Sequence, residues 1–232
     1  MRTWLIGFLA CLFLLQGCAL EERPEQKNGT EGPSMSQSLL QAAERKDVES
    51  VTKLVKEGAN VNSQDTKGRT PAMIATYNND AATLKVLLDA GADVNIQDHR
   101  LNTPFLYAGA EGYLDILRLT IDAGADPAIT NRYGGTALIP ASEHGYVEVV
   151  HELLTRTQID VNHVNNLGWT ALLEAIILND GGPAQQQTVR LLIQHGADVN
   201  LPDHDRVTPL QHARNKGFKD IERILADAGA IS

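Results

Sequence analysis

Thr70, Thr103, Thr136, Thr170 and Thr208 stand 33, 33, 34 and 38 residues apart, and each opens a Thr-Pro or Thr-Ala phrase. A second phrase keeps the same beat: Gly58-Ala59-Asn60-Val61-Asn62, Gly91-Ala92-Asp93-Val94-Asn95, Gly124-Ala125-Asp126-Pro127 and Gly196-Ala197-Asp198-Val199-Asn200, closed by Gly229-Ala230. A recurrence at this period constrains the chain more than any other feature. It requires like units that cannot bury their apolar faces alone and therefore stack on their neighbours into one elongated core.

Within a period the pattern is that of two helices. Thr70-Pro71 starts an inner helix, with proline in the first turn, where its missing N–H costs nothing. Ala72, Ile74 and Ala75 then face neighbouring layers. An outer helix carries Leu84, Val86, Leu87 and Leu88 and stops at Gly91, which can take the left-handed conformation of a helix end. The third unit repeats this with Ile116, Leu117, Leu119 and Gly124. The first unit, Ser38 to Asn62, lacks the threonine phrase but keeps helical spacing in Leu39, Leu40, Ala42, Ala43, Val48, Val51, Leu54 and Val55. Its polar side suits a capping unit, as does the polar inner helix after Thr208, and the expected total is six units.

Three departures carry expectations of their own. Thr157-Gln158-Ile159-Asp160 replaces the Gly-Ala-Asp phrase, so the fourth unit's second helix should end differently. About four extra residues around Asn179 to Gln186 should break the helix at Gly181-Gly182-Pro183 and project a loop, either a neutral insertion or a partner contact. Pro140 falls inside an inner helix, where it should cost about 3 kcal/mol unless the helix bends.

The two phrases and their period resemble the ankyrin-repeat family, from about Gln37 to Ala230. The resemblance implies an all-α ankyrin-repeat solenoid of helix-turn-helix units with β-turn fingers, over residues 37–232. It also implies that finger tips and exposed inner-helix positions bind a protein. Carried over by register, the candidate contacts are Lys67, Arg69, Tyr77, His99, Arg100, Arg132, Tyr133, Glu143, His144 and Trp169. Aromatic and arginine side chains are the usual interface anchors, which singles out Tyr77, Arg100, Arg132, Tyr133 and above all Trp169. For Trp169 the alternative is packing between adjacent fingers; for the others it is a structural or solvated role.

The N-terminal segment is of another kind. Arg2 precedes a short apolar run from Trp4 to Leu15, too short to span a bilayer as a helix and laid out like a secretory signal over residues 1–17. Leu15-Gln16-Gly17-Cys18 resembles the bacterial lipobox, which implies that Cys18 is acylated, with palmitate among its lipids, and becomes the first residue; the alternative is an ordinary signal with an incidental cysteine. Cys11 would leave with the signal, so no internal disulfide is expected. Ala19 after the cysteine implies the outer membrane, facing the periplasm. Residues 18–36 are polar and read as a disordered tether. Met35 is a candidate internal start, giving a cytosolic short form, or an incidental methionine.

Loss of Arg2 with the signal would take the formal charge from −9 to −10. That balance argues against nucleic acid or an anionic membrane surface as partner. The lipid anchor is the expected membrane link. No Gly-x-Ser-x-Gly, His-Glu-x-x-His or phosphate loop occurs, and the seven histidines are scattered. The expectation is no enzyme, no cofactor and no metal, in a chain that is monomeric until it meets its partner. Asp65, Asp98 and Asp203, with Asn131 and Asn165 at equivalent points, read as finger residues bonding their own backbone.

The stretches Asn131 to Ala141 and Asp160 to Thr170 are similar to a bacterial ankyrin subfamily that includes envelope lipoproteins, and the whole resembles the immunity proteins that accompany type VI secretion lipase effectors. This implies a protein-binding module that neutralises a secreted toxin such as a lipase. The competing expectation is a periplasmic structural or stress-protective scaffold supporting an antioxidant enzyme of catalase type.

Overall fold

The computed structural model describes residues 34–231; the expected signal, Cys18 and most of the tether lie outside them. Twelve helices form six antiparallel pairs, and no strand occurs among the described residues. The inner helices are α1 (Met35–Glu44), α3 (Pro71–Tyr77), α5 (Pro104–Glu111), α7 (Leu138–Glu143), α9 (Ala171–Ile177) and α11 (Pro209–Lys216). The outer ones are α2 (Val48–Lys56), α4 (Ala81–Asp89), α6 (Leu114–Asp122), α8 (Val147–Arg156), α10 (Pro183–Gln194) and α12 (Lys219–Asp227). Each inner helix packs on its own outer helix and on the inner helices before and after it. The resulting core is one continuous line that includes Leu39, Val51, Leu84, Phe105, Ile116, Leu138, Leu153, Leu172, Val189 and Leu225. Burying such a side chain contributes about 1.5–3 kcal/mol, and most of these sit between two repeats, so stability is shared between neighbours.

The threonine phrase is a cap. Oγ1 of Thr70, Thr103, Thr170 and Thr208 accepts from the backbone N–H three residues on, at 3.1, 3.1, 3.2 and 3.3 Å, satisfying a donor that a helix start leaves free. The finger residues behave as the sequence suggests. Oδ1 of Asp65, Asp98, Asn131, Asn165 and Asp203 each takes two backbone N–H groups, two and four residues on.

The second phrase also staples units together, which the sequence did not disclose. Asn62, Asn95 and Asn162 accept from the backbone N–H of Asp93, Asp126 and Asp198 in the following repeat, and Asn200 from Ile231, all at 2.8–2.9 Å. The third unit carries Ala128 at that position and lacks the staple.

The departures resolve in physical terms. Outer helix α8 ends on Thr157 in extended conformation, its hydroxyl bonding Leu153 O at 2.6 Å in place of a left-handed glycine. Pro140 costs less than expected because it falls in the first turn of α7. It has no N–H to give Thr136 O, which takes Ile139 N instead at 3.3 Å, and Thr136 Oγ1 is left buried without a partner. The insertion does not break a helix, since α9 already ends at Ile177 and Gly182 is the N-cap of α10, and it projects no free loop. Its last residues extend α10 to 12 residues, the buried Gln185 bonds Asn179 at 3.0 Å, and Gly181 lies under the Phe218 ring. At the other end α1 starts at Met35 on a Ser34–Gln37 capping box, so Met35 and Ser36 belong to the first helix rather than to the tether.

Candidate functional site

Fingers and inner helices together make one face of the stack, and over the third to fifth units it holds a groove of about 580 Å³. Six of the candidate contacts line it: Arg100, Arg132, Tyr133, Glu143, His144 and Trp169. Lys67, Arg69, Tyr77 and His99 line a second depression of about 440 Å³, which shares Arg100 with the first. Adjacent fingers stack, which brings these residues together. His99 N donates to Lys67 O at 3.0 Å and Asn166 N to Tyr133 O at 2.9 Å. Gly168 takes φ +82 and lies against the His204 ring of the next finger, where any side chain would collide.

Not every candidate is available to a partner. Arg69 is half-buried and spends its charge internally, on Asp65 at 2.6 Å and Glu44 of α1 at 2.8 Å. Burial opposes its charged form, but these two carboxylates outweigh that and raise its pKa. The Tyr77 hydroxyl donates to Asp98 at 2.6 Å and accepts from Asn102 at 3.1 Å, while its ring packs edge-on against Tyr107 with centroids 4.4 Å apart. Tyr77 therefore braces one finger against two helices. The His99 ring covers Gly68 of the preceding finger, with the outer edge still exposed.

The groove residues are freer. Tyr133 is 54% exposed; Arg132 lies 4.6 Å over its ring and donates to its hydroxyl at 2.8 Å, a preformed cation–π pair at the rim. Arg100 is exposed and forms no ion pair among the described residues. Trp169 is half-buried and takes part in no ring–ring contact among the described residues; the other apolar lining comes from the exposed Leu167 and Leu178 and from Ile139.

The groove floor holds a residue the sequence reading passed over. Glu174, on α9, is only 6% exposed, and its Oε1 accepts from Asn165 Nδ2 at 2.7 Å. Burial, with Glu143 nearby as a second cause, pushes its carboxyl up to about 7. The nine-residue spacing from finger Asx to inner helix was a usable signal, because it recurs. In the last unit His212 Nε2 meets Asp203 Oδ2 at 2.7 Å, the same two positions with donor and acceptor exchanged. Tyr107 was also missed; burial and then the Glu111 charge push its hydroxyl up to about 12.

Among the described residues no group of three or more histidine, cysteine or acidic side chains could hold a metal ion, and no helix is long and apolar enough to cross a membrane. The groove offers aromatic and aliphatic surface beside fixed charges, which suits recognition of another surface.

A family model described as ankyrin repeats (3 copies) matches residues 39–131, 105–203 and 141–231. The crystal structure of an ankyrin repeat domain from Acinetobacter baumannii AYE is 50% identical, covers 83% of this chain and 98% of its own, and superimposes with a TM-score of 0.81. That of the ankyrin repeat domain of Bcl-3, of the IkappaB protein family, is 26% identical with a TM-score of 0.75, covering 84% of this chain and 87% of its own. The ankyrin repeat protein YahD of Escherichia coli K12 is 54% identical over 82 residues, 35% of this chain. Protein phosphatase 1 regulatory subunit 27 of Mus musculus is 30% identical over 81 residues, also 35% of this chain. The matches span 41% and 49% of those two proteins' own lengths.

Proposed function

Because the chain belongs to the ankyrin-repeat family, whose members generally bind other proteins without catalysing a reaction, we propose that it binds and neutralises one protein, a secreted toxin, through the groove over its third to fifth units. The observation that carries this reading is the exposed cluster of Tyr133, Leu167 and Leu178 beside Trp169 and Arg100, which forms no ion pair among the described residues. Isolated exposed apolar residues are ordinary on a soluble surface, but a contiguous group in a depression rimmed by charge marks an interaction site.

The finer parts of the proposal come from the sequence. The lipobox-like Leu15-Gln16-Gly17-Cys18 supports a lipid anchor at Cys18, most simply on the periplasmic side of the outer membrane. An anchored binder with an acidic repeat domain suits interception of an enzyme at its lipid substrate, so the toxin we favour is a lipase. Initiation at Met35 would yield a cytosolic form still carrying all of α1, which begins at that residue.

The decisive experiment captures partners with the full chain, tagged at its C-terminus in its own cells, beside Trp169→Ala. A secreted lipase retained by the wild type and lost by the variant supports the reading; a catalase-like partner moves it to the envelope scaffold. Deletion of the gene should sensitise cells to attack by siblings, and unchanged sensitivity would refute the immunity role. Acylation is read separately, as incorporation of a palmitate analogue that Cys18→Ser abolishes.

A further inference from the structure

Glu174 and Asp98 are both more than nine-tenths buried, but Asp98 accepts from the Tyr77 hydroxyl and two backbone N–H groups whereas Glu174 has a single donor. No lysine or arginine among the described residues forms an ion pair with Glu174 or with Glu143. Asn165 holds Oε1, and the amide is fixed in that sense because its own Oδ1 is already committed to Leu167 N and Trp169 N, at 2.9 and 3.0 Å. Oε2 has no donor among the described residues, and Glu174 is one of the residues that line the groove. The chain therefore presents one half of a buried ion pair with the other half missing. An unpaired buried charge is costly, and a cation brought in by a partner would remove that cost.

The lining around it fits a particular shape of cation. Trp169, Leu167 and Leu178 provide apolar surface along the same groove, suited to a long aliphatic stem with its charge at the far end. The arginines that share the groove do not fill this place: Arg132 is occupied by the Tyr133 ring and hydroxyl, and Arg100 forms no ion pair with Glu174 or Glu143 among the described residues.

The geometry points to a receptor site for an arginine or lysine side chain of the partner protein, its cation against Glu174 Oε2 and Glu143 and its stem along Trp169. The inference rests on the reading of the groove as the partner-binding face, and it names the chemistry that face selects.

The test titrates the purified full-length protein with two peptides, acetyl-Gly-Arg-Gly-amide and the same peptide with citrulline, a neutral isostere of arginine. The readout is the indole N–H resonance of Trp169. The arginine peptide is expected to shift that resonance saturably and to bind at least about tenfold more tightly than the citrulline peptide. Glu174→Gln should abolish the preference while leaving the resonance otherwise in place, because glutamine can still accept from Asn165. Glu143→Gln, at a less buried position, should reduce the preference and provides the second variant if the first does not fold. Equal binding of the two peptides, no response to either, or an unchanged preference in a folded Glu174→Gln protein would each overturn the inference. The broader reading fails differently. If Trp169→Ala releases the captured partner while the arginine peptide shows no preference, the groove stands and the cation site falls; if Trp169→Ala retains the partner, the groove reading itself falls.

Discussion

Replacing Glu174 by glutamine should make the isolated protein more stable above neutral pH and leave it unchanged under mild acid. The reasoning starts from the raised carboxyl, from 4.5 to about 7, caused first by burial and then by Glu143. A carboxyl whose pKa is higher folded than unfolded binds its proton more tightly in the native state, so its favourable contribution is full below about 4.5 and is lost as pH rises through about 7. At about 1.4 kcal/mol per pKa unit the rise from 4.5 to about 7 corresponds to about 3.5 kcal/mol at most. Glutamine keeps the hydrogen bond from Asn165 and cannot ionise. Urea denaturation at pH 4, 5, 6, 7 and 8 should therefore give nearly coincident midpoints at pH 4 and an advantage for the variant that grows from pH 5 and levels off above about 7. The carboxylates held below their usual range, Asp65, Glu152 and Asp203, are common to both proteins and cancel in the comparison. Parallel pH curves for the two proteins would show that Glu174 ionises without penalty and would refute the argument. Stabilising the free chain while weakening its grip on an arginine peptide is a combination that a merely structural residue would not produce.

Three further outcomes follow from the packing. Thr170→Val should cost about 1 kcal/mol by removing the cap on Leu173 N, whereas Thr136→Val should cost nothing measurable, since the Thr136 hydroxyl is buried with no partner; equal losses in urea midpoint would contradict the assignment of Thr136. Asn95→Ala should lose about 1 kcal/mol with the staple to Asp126, and Ala128→Asn should recover part of that amount at the one junction without a staple, both read by thermal unfolding. Gly109→Ala should destabilise by about 1–2 kcal/mol despite alanine's better helix propensity, because the new Cβ would lie 2.9 Å from Ala137 Cβ across α5 and α7; a stabilised variant would mean that the two helices separate freely.

The sequence determined this protein wherever the controlling interaction is local and repeated. Threonine caps bond three residues on, finger Asx residues bond two and four residues on, and glycine ends most of the outer helices. Such short-range preferences are written in consecutive letters, and five in-register copies made the six-unit solenoid readable. The altered end of α8 was legible for the same reason, because Thr157, which stands where the glycine phrase should begin, is next to it. Gly181-Gly182-Pro183, by contrast, lie beyond the end of α9 at Ile177 and do not set it. Tertiary structure decided what depends on the neighbouring unit. Pro140 was tolerated, at the expense of the Thr136 cap, because α7 starts one residue later than its counterparts. The insertion was absorbed into α10 because Gln185 bonds Asn179 just after α9 and Gly181 lies under Phe218 of the last unit. The same division holds in the groove. Register placed Trp169, Tyr133 and Arg100 on the surface, but only packing showed Tyr77 and Arg69 committed inward and Glu174 left with an open oxygen. Burial and pairing are set by side chains some thirty residues away on adjacent repeats, and one period of sequence carries no record of what its neighbour will present.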